Sequence, residues 1–144
     1  KKRKYAELLE KYEIEYRPEF IVDGDYDYET GYVGMNRLAG LLDVPTAVVA
    51  INDSAAAGVM RSAVDHGYRI PQDISVVSYD NTSLTELLIP KLTSVDYDYE
   101  TLGRRLVETA IAAVKKSNIP LCQRITPTLV VRESSARVPG TGER

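Results

Sequence analysis

At 144 residues, 44% hydrophobic and 27% charged, the chain has the balance of one globular domain, large enough to bury a core without disulfide staples. A net charge of −3 argues against a chain that grips nucleic acid by itself, and a single cysteine, Cys122, excludes an internal disulfide and a cysteine-rich zinc site. No apolar run approaches the roughly 18 residues of a membrane span, and Lys1-Lys2-Arg3-Lys4 leads into a charged amphipathic segment, not the apolar core of a signal peptide.

Tyr5, Leu8, Leu9 and Tyr12 recur at helical spacing and predict an opening helix, which Pro18 stops. Phe20-Ile21-Val22 reads as a short buried strand. A second helix is expected from Tyr28 to Leu42, striped by Tyr32, Met35, Leu38 and Leu42. Thr46 to Ile51 is a continuous apolar run, the mark of a strand covered on both faces. Asn52-Asp53-Ser54 is N-cap chemistry for a third helix, which runs to about His66 and ends at Gly67.

Ile70 to Asp73 predicts a turn and Ile74 to Tyr79 a strand. A polar stretch from Asp80 and a short apolar piece lead to Pro90, followed by a brief strand over Thr93-Ser94-Val95. Leu102, Leu106, Ala110, Ile111 and Val114 define a fourth helix, with Lys115-Lys116 suiting its negative end. Leu129-Val130-Val131 is a last strand, and the chain turns polar after Arg132. Strands alternating with helices imply an α/β fold with a parallel, doubly wound sheet.

The hexapeptide Asp25-Tyr26-Asp27-Tyr28-Glu29-Thr30 recurs letter for letter at Asp96 to Thr101, each copy between a strand end and a helix start. Helix capping by Asp explains both copies; a role at the mouth of a cleft is compatible with it. Ligands of open parallel sheets bind outside the carboxyl ends of the strands. Those ends here carry Asp23, Asp25 and Tyr26, then Asn52 and Asp53, then Asp80 and Asn81. Asn and Asp fork hydrogen bonds to vicinal hydroxyls, and a Tyr ring stacks on the C–H face of a sugar. The same residues also suit a simple cap at Asn52 and a simple turn at Asp80.

Asp23-Gly24-Asp25-Tyr26-Asp27 mimics the start of a calcium loop, but Tyr28 and Gly34 stand where that loop needs Gly and Glu. No Gly-rich phosphate loop follows a strand. His66 reads as a surface residue at a helix end, and Cys122 as a small packed hydrophobe. No cofactor, metal or nucleophile motif emerges, so an enzyme is not expected.

Pro45-Thr46-Ala47 with Asn52-Asp53 and Ala57-Gly58 resembles a stretch of LacI/GalR-type transcriptional regulators. Gly67 to Asn81, with Pro71, Asp73-Ile74-Ser75-Val76-Val77 and Tyr79-Asp80-Asn81, is similar to a second such stretch. Pro90 to Val95, Leu102-Gly103 and Leu129 to Ser134 match in order and spacing, and Ser78 stands where the family usually has Gly. The resemblance implies a periplasmic-binding-protein-like fold, mainly its C-terminal lobe, in a dimeric, cytoplasmic repressor. It implies a small sugar-like effector held by Tyr26, Asn52, Asp80 and Tyr99. A dimer interface is implied at Ala57, Met60, Leu87, Leu88 and Ile89, and Lys1 is nearest to a usual Arg anchor. Operator DNA would be bound only through a helix-turn-helix absent from this chain. The hinge, most of the first lobe and the first strand of the second lobe are also missing from it, which reads as a fragment. Residues 1–132 are then a partial effector-binding and dimerisation domain, and 133–144 a flexible tail. A transport-linked sugar-binding protein of the same fold is the alternative.

Overall fold

A computed structural model describes residues 2–115 and 124–137. The elements are α1 (Lys2–Lys11), a single 3₁₀ turn at Pro18–Phe20, α2 (Tyr28–Ala39), β1 (Ala47–Val49), α3 (Asp53–Asp65), β2 (Ser75–Tyr79), α4 (Leu84–Leu87), β3 (Thr93–Asp96), α5 (Tyr99–Val114) and β4 (Thr128–Val130). The α/β class with a parallel sheet stands. Strands β1, β2 and β3 are parallel in that spatial order, and β4 joins β3 antiparallel.

The helix starts follow from capping. Asp27, Asn52 and Asp98 each accept the backbone N–H three residues on, at 2.8, 2.8 and 3.1 Å. Helix α3 ends at His66 with Gly67 at φ +83°, the left-handed position where glycine carries no Cβ penalty.

The core lies between α2, α3 and one face of the sheet. Met35, Ala56, Ala63, Val76 and Leu92 are fully buried there, with Ala55, Val59 and Ile74 nearly so. The two helices cross at glycines. A Cβ on Gly31 would lie 1.9 Å from the Ala55 carbonyl oxygen, and one on Gly58 would lie 2.0 Å from that of Tyr28. Across the crossing, Ser62 donates to Asn36 Oδ1 at 2.7 Å, and the Tyr32 hydroxyl donates to Asp65 at 3.0 Å.

Four expectations need correction. Phe20-Ile21-Val22 is not a strand: it leaves a 3₁₀ turn and runs extended with no ladder partner among the described residues, Val22 packing beside Gly34 of α2 instead. The run at Thr46 to Ile51 is not covered on both faces: in β1 the alternate residues Ala47 and Val49 are exposed, while Val48 packs against the core. Helix α2 stops at Ala39, where Gly40 closes it, so Leu42 lies outside and is exposed. Finally, the fold continues past Arg132. Ser134 is fully buried; its hydroxyl donates to the Val76 carbonyl at 2.6 Å and accepts the Thr93 N–H at 2.8 Å. Lys1, Cys122 and residues 138–144 lie outside the described residues.

Helices α1 and α5 bury none of their residues, and the apolar positions Leu106, Ile111 and Val114 of α5 are exposed.

Candidate functional site

Because β1, β2 and β3 are parallel, their carboxyl ends share one edge of the sheet, and chain leaving that edge carries the candidate residues. Asn52 follows β1 and has two attachments. Its Oδ1 accepts the Ala55 N–H at 2.8 Å, capping α3, and its Nδ2 donates to the Tyr26 carbonyl at 2.8 Å. The cap and the tether are one side chain. It retains one N–H and one lone-pair direction for a further partner. The tether brings the loop before α2, and with it the exposed Tyr26 ring, to the same edge.

Asp80 follows β2, and Tyr99 opens α5 after β3. The Tyr99 hydroxyl donates to Asp80 Oδ1 at 3.0 Å. Tyr97 stacks on Tyr79 with ring centres 6.3 Å apart, and meets Tyr99 edge-on at 6.1 Å. Burial, reinforced by the Asp80 charge, raises the titration of Tyr97 and Tyr99, with the Tyr99–Asp80 hydrogen bond contributing at Tyr99. Both phenols stay protonated donors at neutral pH. Asp80 and Asn81 are consecutive residues of positive φ, +102° and +49°. Asn81 is held by donation to Asp96 Oδ2 at 3.0 Å.

The calcium-like stretch has other uses. Asp23 pairs with Lys2, Asp25 donates its N–H to Thr30 Oγ1 at 3.1 Å, and Asp27 caps α2. Among the described residues, no group of three or more His, Cys, Asp or Glu is placed to hold a metal ion.

Two residues have roles that the sequence did not show: Asp53, read there only as a strand-end residue beside the cap, and Arg132. Asp53 is 2% exposed and accepts four hydrogen bonds: from Ser78 Oγ at 2.5 Å, Ser94 Oγ at 2.8 Å, Thr82 N at 2.6 Å and Thr82 Oγ1 at 2.8 Å. It thereby locks the start of α3 to β2, β3 and the loop after β2. The available signal was an acid just after a cap with hydroxyl residues at the ends of both following strands. Arg132, the second, bridges that loop to α4 by donating to Asn81 at 2.9 Å and Glu86 at 2.6 Å.

The interface expectation divides. Ala57 and Met60 are buried within this chain at 8% and 4% exposure, and Met60 belongs to the core cluster. Leu88 is half-buried against the core, while Leu87 and Ile89 are exposed.

Residues 2–135 match the family model of the periplasmic binding protein-like domain. The chain belongs to that family. Within it, the domain is similar to LacI-type regulators. It is 32% identical over 139 residues to the HTH-type transcriptional repressor PurR of Mannheimia succiniciproducens, covering 93% of this chain and 40% of that protein. It is 34% identical over 131 residues to the ribose operon repressor of Haemophilus influenzae, covering 90% and 40%. A transcription regulator from Lactobacillus plantarum superposes with a TM-score of 0.85 at 32% identity, over 93% of this chain and 52% of that one. The periplasmic-binding-protein-like domain described here therefore spans about 40% of the length of both repressors. No helix among its described residues is long and apolar enough to cross a membrane.

Proposed function

We propose that this domain is the effector-sensing and dimerisation part of a cytoplasmic LacI-type transcriptional repressor, with no catalytic role. The observation that supports the reading is that Tyr26, Asn52, Asp80 and Tyr99 lie in chain leaving the carboxyl edge of one parallel sheet, as two hydrogen-bonded pairs, Asn52 with Tyr26 and Tyr99 with Asp80. Asn52 and Asp80 supply forked polar contacts, and the tyrosines supply ring faces, a set that fits a small polyhydroxylated ligand such as a sugar. The ligand favours one arrangement of the two lobes and so changes operator affinity through the DNA-binding part of the intact protein. Leu87 and Ile89 belong to the surface that meets a second copy.

Calorimetry on the intact protein with pentoses, hexoses, disaccharides and purine bases identifies the effector class. Asn52→Ala and Asp80→Ala are each expected to weaken binding by about tenfold or more, the scale of a lost hydrogen bond to a buried or charged group. Unchanged affinity in both variants would overturn the site.

A further inference from the structure

We infer that Arg132 is a positioning residue that couples the loop carrying Asp80 to the exposed apolar segment around α4. This rests on the reading of Asp80 and Tyr99 as ligand-facing, and adds a physical route from that site to a second surface.

The Arg132 side chain is 13% exposed and divides its donors among three segments. Nε donates to Glu86 Oε1 in α4 at 2.6 Å, Nη1 to the Leu92 carbonyl before β3 at 2.9 Å, and Nη2 to Asn81 Oδ1 after β2 at 2.9 Å. Its own backbone N–H donates to Thr93 Oγ1 at 2.9 Å, which anchors the arm on β3. Only a planar, forked cation reaches three acceptors in these directions; a lysine ammonium on a flexible stem does not.

At one end of the fork, Asn81 is held on both sides. It donates to Asp96 through Nδ2 at 3.0 Å and to Ser94 Oγ through its backbone N–H at 3.1 Å. With Asp80 it forms two successive left-handed residues, a shape that rearranges as a unit because few neighbouring conformations are open to non-glycine residues. A ligand that draws the Asp80 carboxylate away from the Tyr99 hydroxyl turns this pair and loads the Asn81–Arg132 bond. At the other end, Glu86 also receives Lys91 Nζ at 2.8 Å, and Leu87 and Ile89 flank that clamp. The links Tyr99–Asp80–Asn81–Arg132–Glu86 are hydrogen bonds or peptide bonds without a gap.

Hydrogen exchange on the intact protein, without ligand, tests this. The reporters are residues 84–92, where Leu88 and Leu92 donate to the Leu84 and Thr85 carbonyls, residues 78–82, and residues 53–65 of α3 as the internal reference. The Asn81 side chain hydrogen-bonds to Asp96 and Arg132, outside α4, yet Asn81→Ala is expected to speed exchange across 84–92 about tenfold. Arg132→Lys, which keeps the charge and loses the fork, is expected to speed exchange in both reporter segments. The double variant should change 84–92 no more than the stronger single one, because both interrupt one route. Three results would overturn the inference: 84–92 unchanged in Asn81→Ala, full additivity in the double variant, or an equal rise across 53–65. The last would mean that Arg132 only holds the fold together. Because no ligand enters this experiment, its failure leaves the effector reading intact, and that reading fails separately in calorimetry.

Discussion

The Tyr99 hydroxyl donates to Asp80 Oδ1 at 3.0 Å, joining the end of one parallel strand to the first turn of the helix that follows the next. Asp80 is thus already partnered before any ligand arrives. Tyr99→Phe removes that donor from a half-exposed site, so thermal unfolding should change by less than about 1 kcal/mol. Effector affinity measured by calorimetry should change clearly, because the Asp80 carboxylate loses the group that aims it. A large stability loss with unchanged affinity would make the pair a structural tie only.

Asp53 sets a second expectation. Its two oxygens take four donors in a buried setting. Asp53→Asn leaves one oxygen and turns an NH₂ toward groups that are themselves donors. Urea unfolding of the variant should show a loss on the order of 3 kcal/mol. Ser78→Gly, which restores the residue usual in the resembling motif, removes one donor and should lower stability by about 1 kcal/mol. The two losses should fall short of additive, since they share a bond.

Gly58→Ala is expected to be among the most damaging single methyl additions in the domain. The new Cβ would sit 2.0 Å from the Tyr28 carbonyl oxygen, which belongs to backbone and has no rotamer to escape into. The expected loss is about 3 kcal/mol or more, read from the unfolding midpoint. Gly103→Ala, where a Cβ meets nothing within 4 Å, is the control that should cost little.

Acid sensitivity has a local source at Arg69 and Asp73. The Arg69 guanidinium donates to both Asp73 oxygens at 2.8 and 2.7 Å, and its backbone N–H adds a third bond at 2.7 Å. The Arg69 side chain, then its backbone N–H, lower the Asp73 carboxyl from 3.8 to about 2. A depressed folded value means this contribution is present above the unfolded value and is lost as pH falls through roughly 4 to 2. Asp73→Asn should flatten the stability profile in that window and leave it unchanged in shape near pH 7. A carboxyl titration followed by NMR gives the value directly.

The repeated hexapeptide shows what a sequence carries and what it does not. Both copies cap a helix through Asp and Thr, as local chemistry dictates. Beyond the cap they diverge. Asp27 is extended at φ −123° whereas Asp98 is left-handed at +49°; Tyr28 stacks on Tyr32 of its own helix, and Tyr99 reaches across to Asp80. The difference comes from neighbours distant in sequence. The strand-end residues Asn52 and Asp80 were legible because the parallel order alone fixes which edge they share. The roles of Asp53 as a buried acceptor and of Arg132 were not, because the partners of each sit on three separate segments. The burial of Ala57 and Met60 was not legible, because a helix of small and apolar residues does not reveal which face is buried until its neighbours are known. Phe20 to Val22 had the composition of a strand but no strand beside it among the described residues.

The spatial order of the sheet matches the order of synthesis: β1, β2, β3, β4. Among the described residues, each strand after β1 pairs with the one just before it, and none must be threaded between two earlier partners. Within this stretch, synthesis from N- to C-terminus can therefore add β2, β3 and β4 one after another beside β1, with the α2–α3 pair in place before β2. The edge that must be filled at each stage is that of the newest strand, and its partner is always the next strand in the chain.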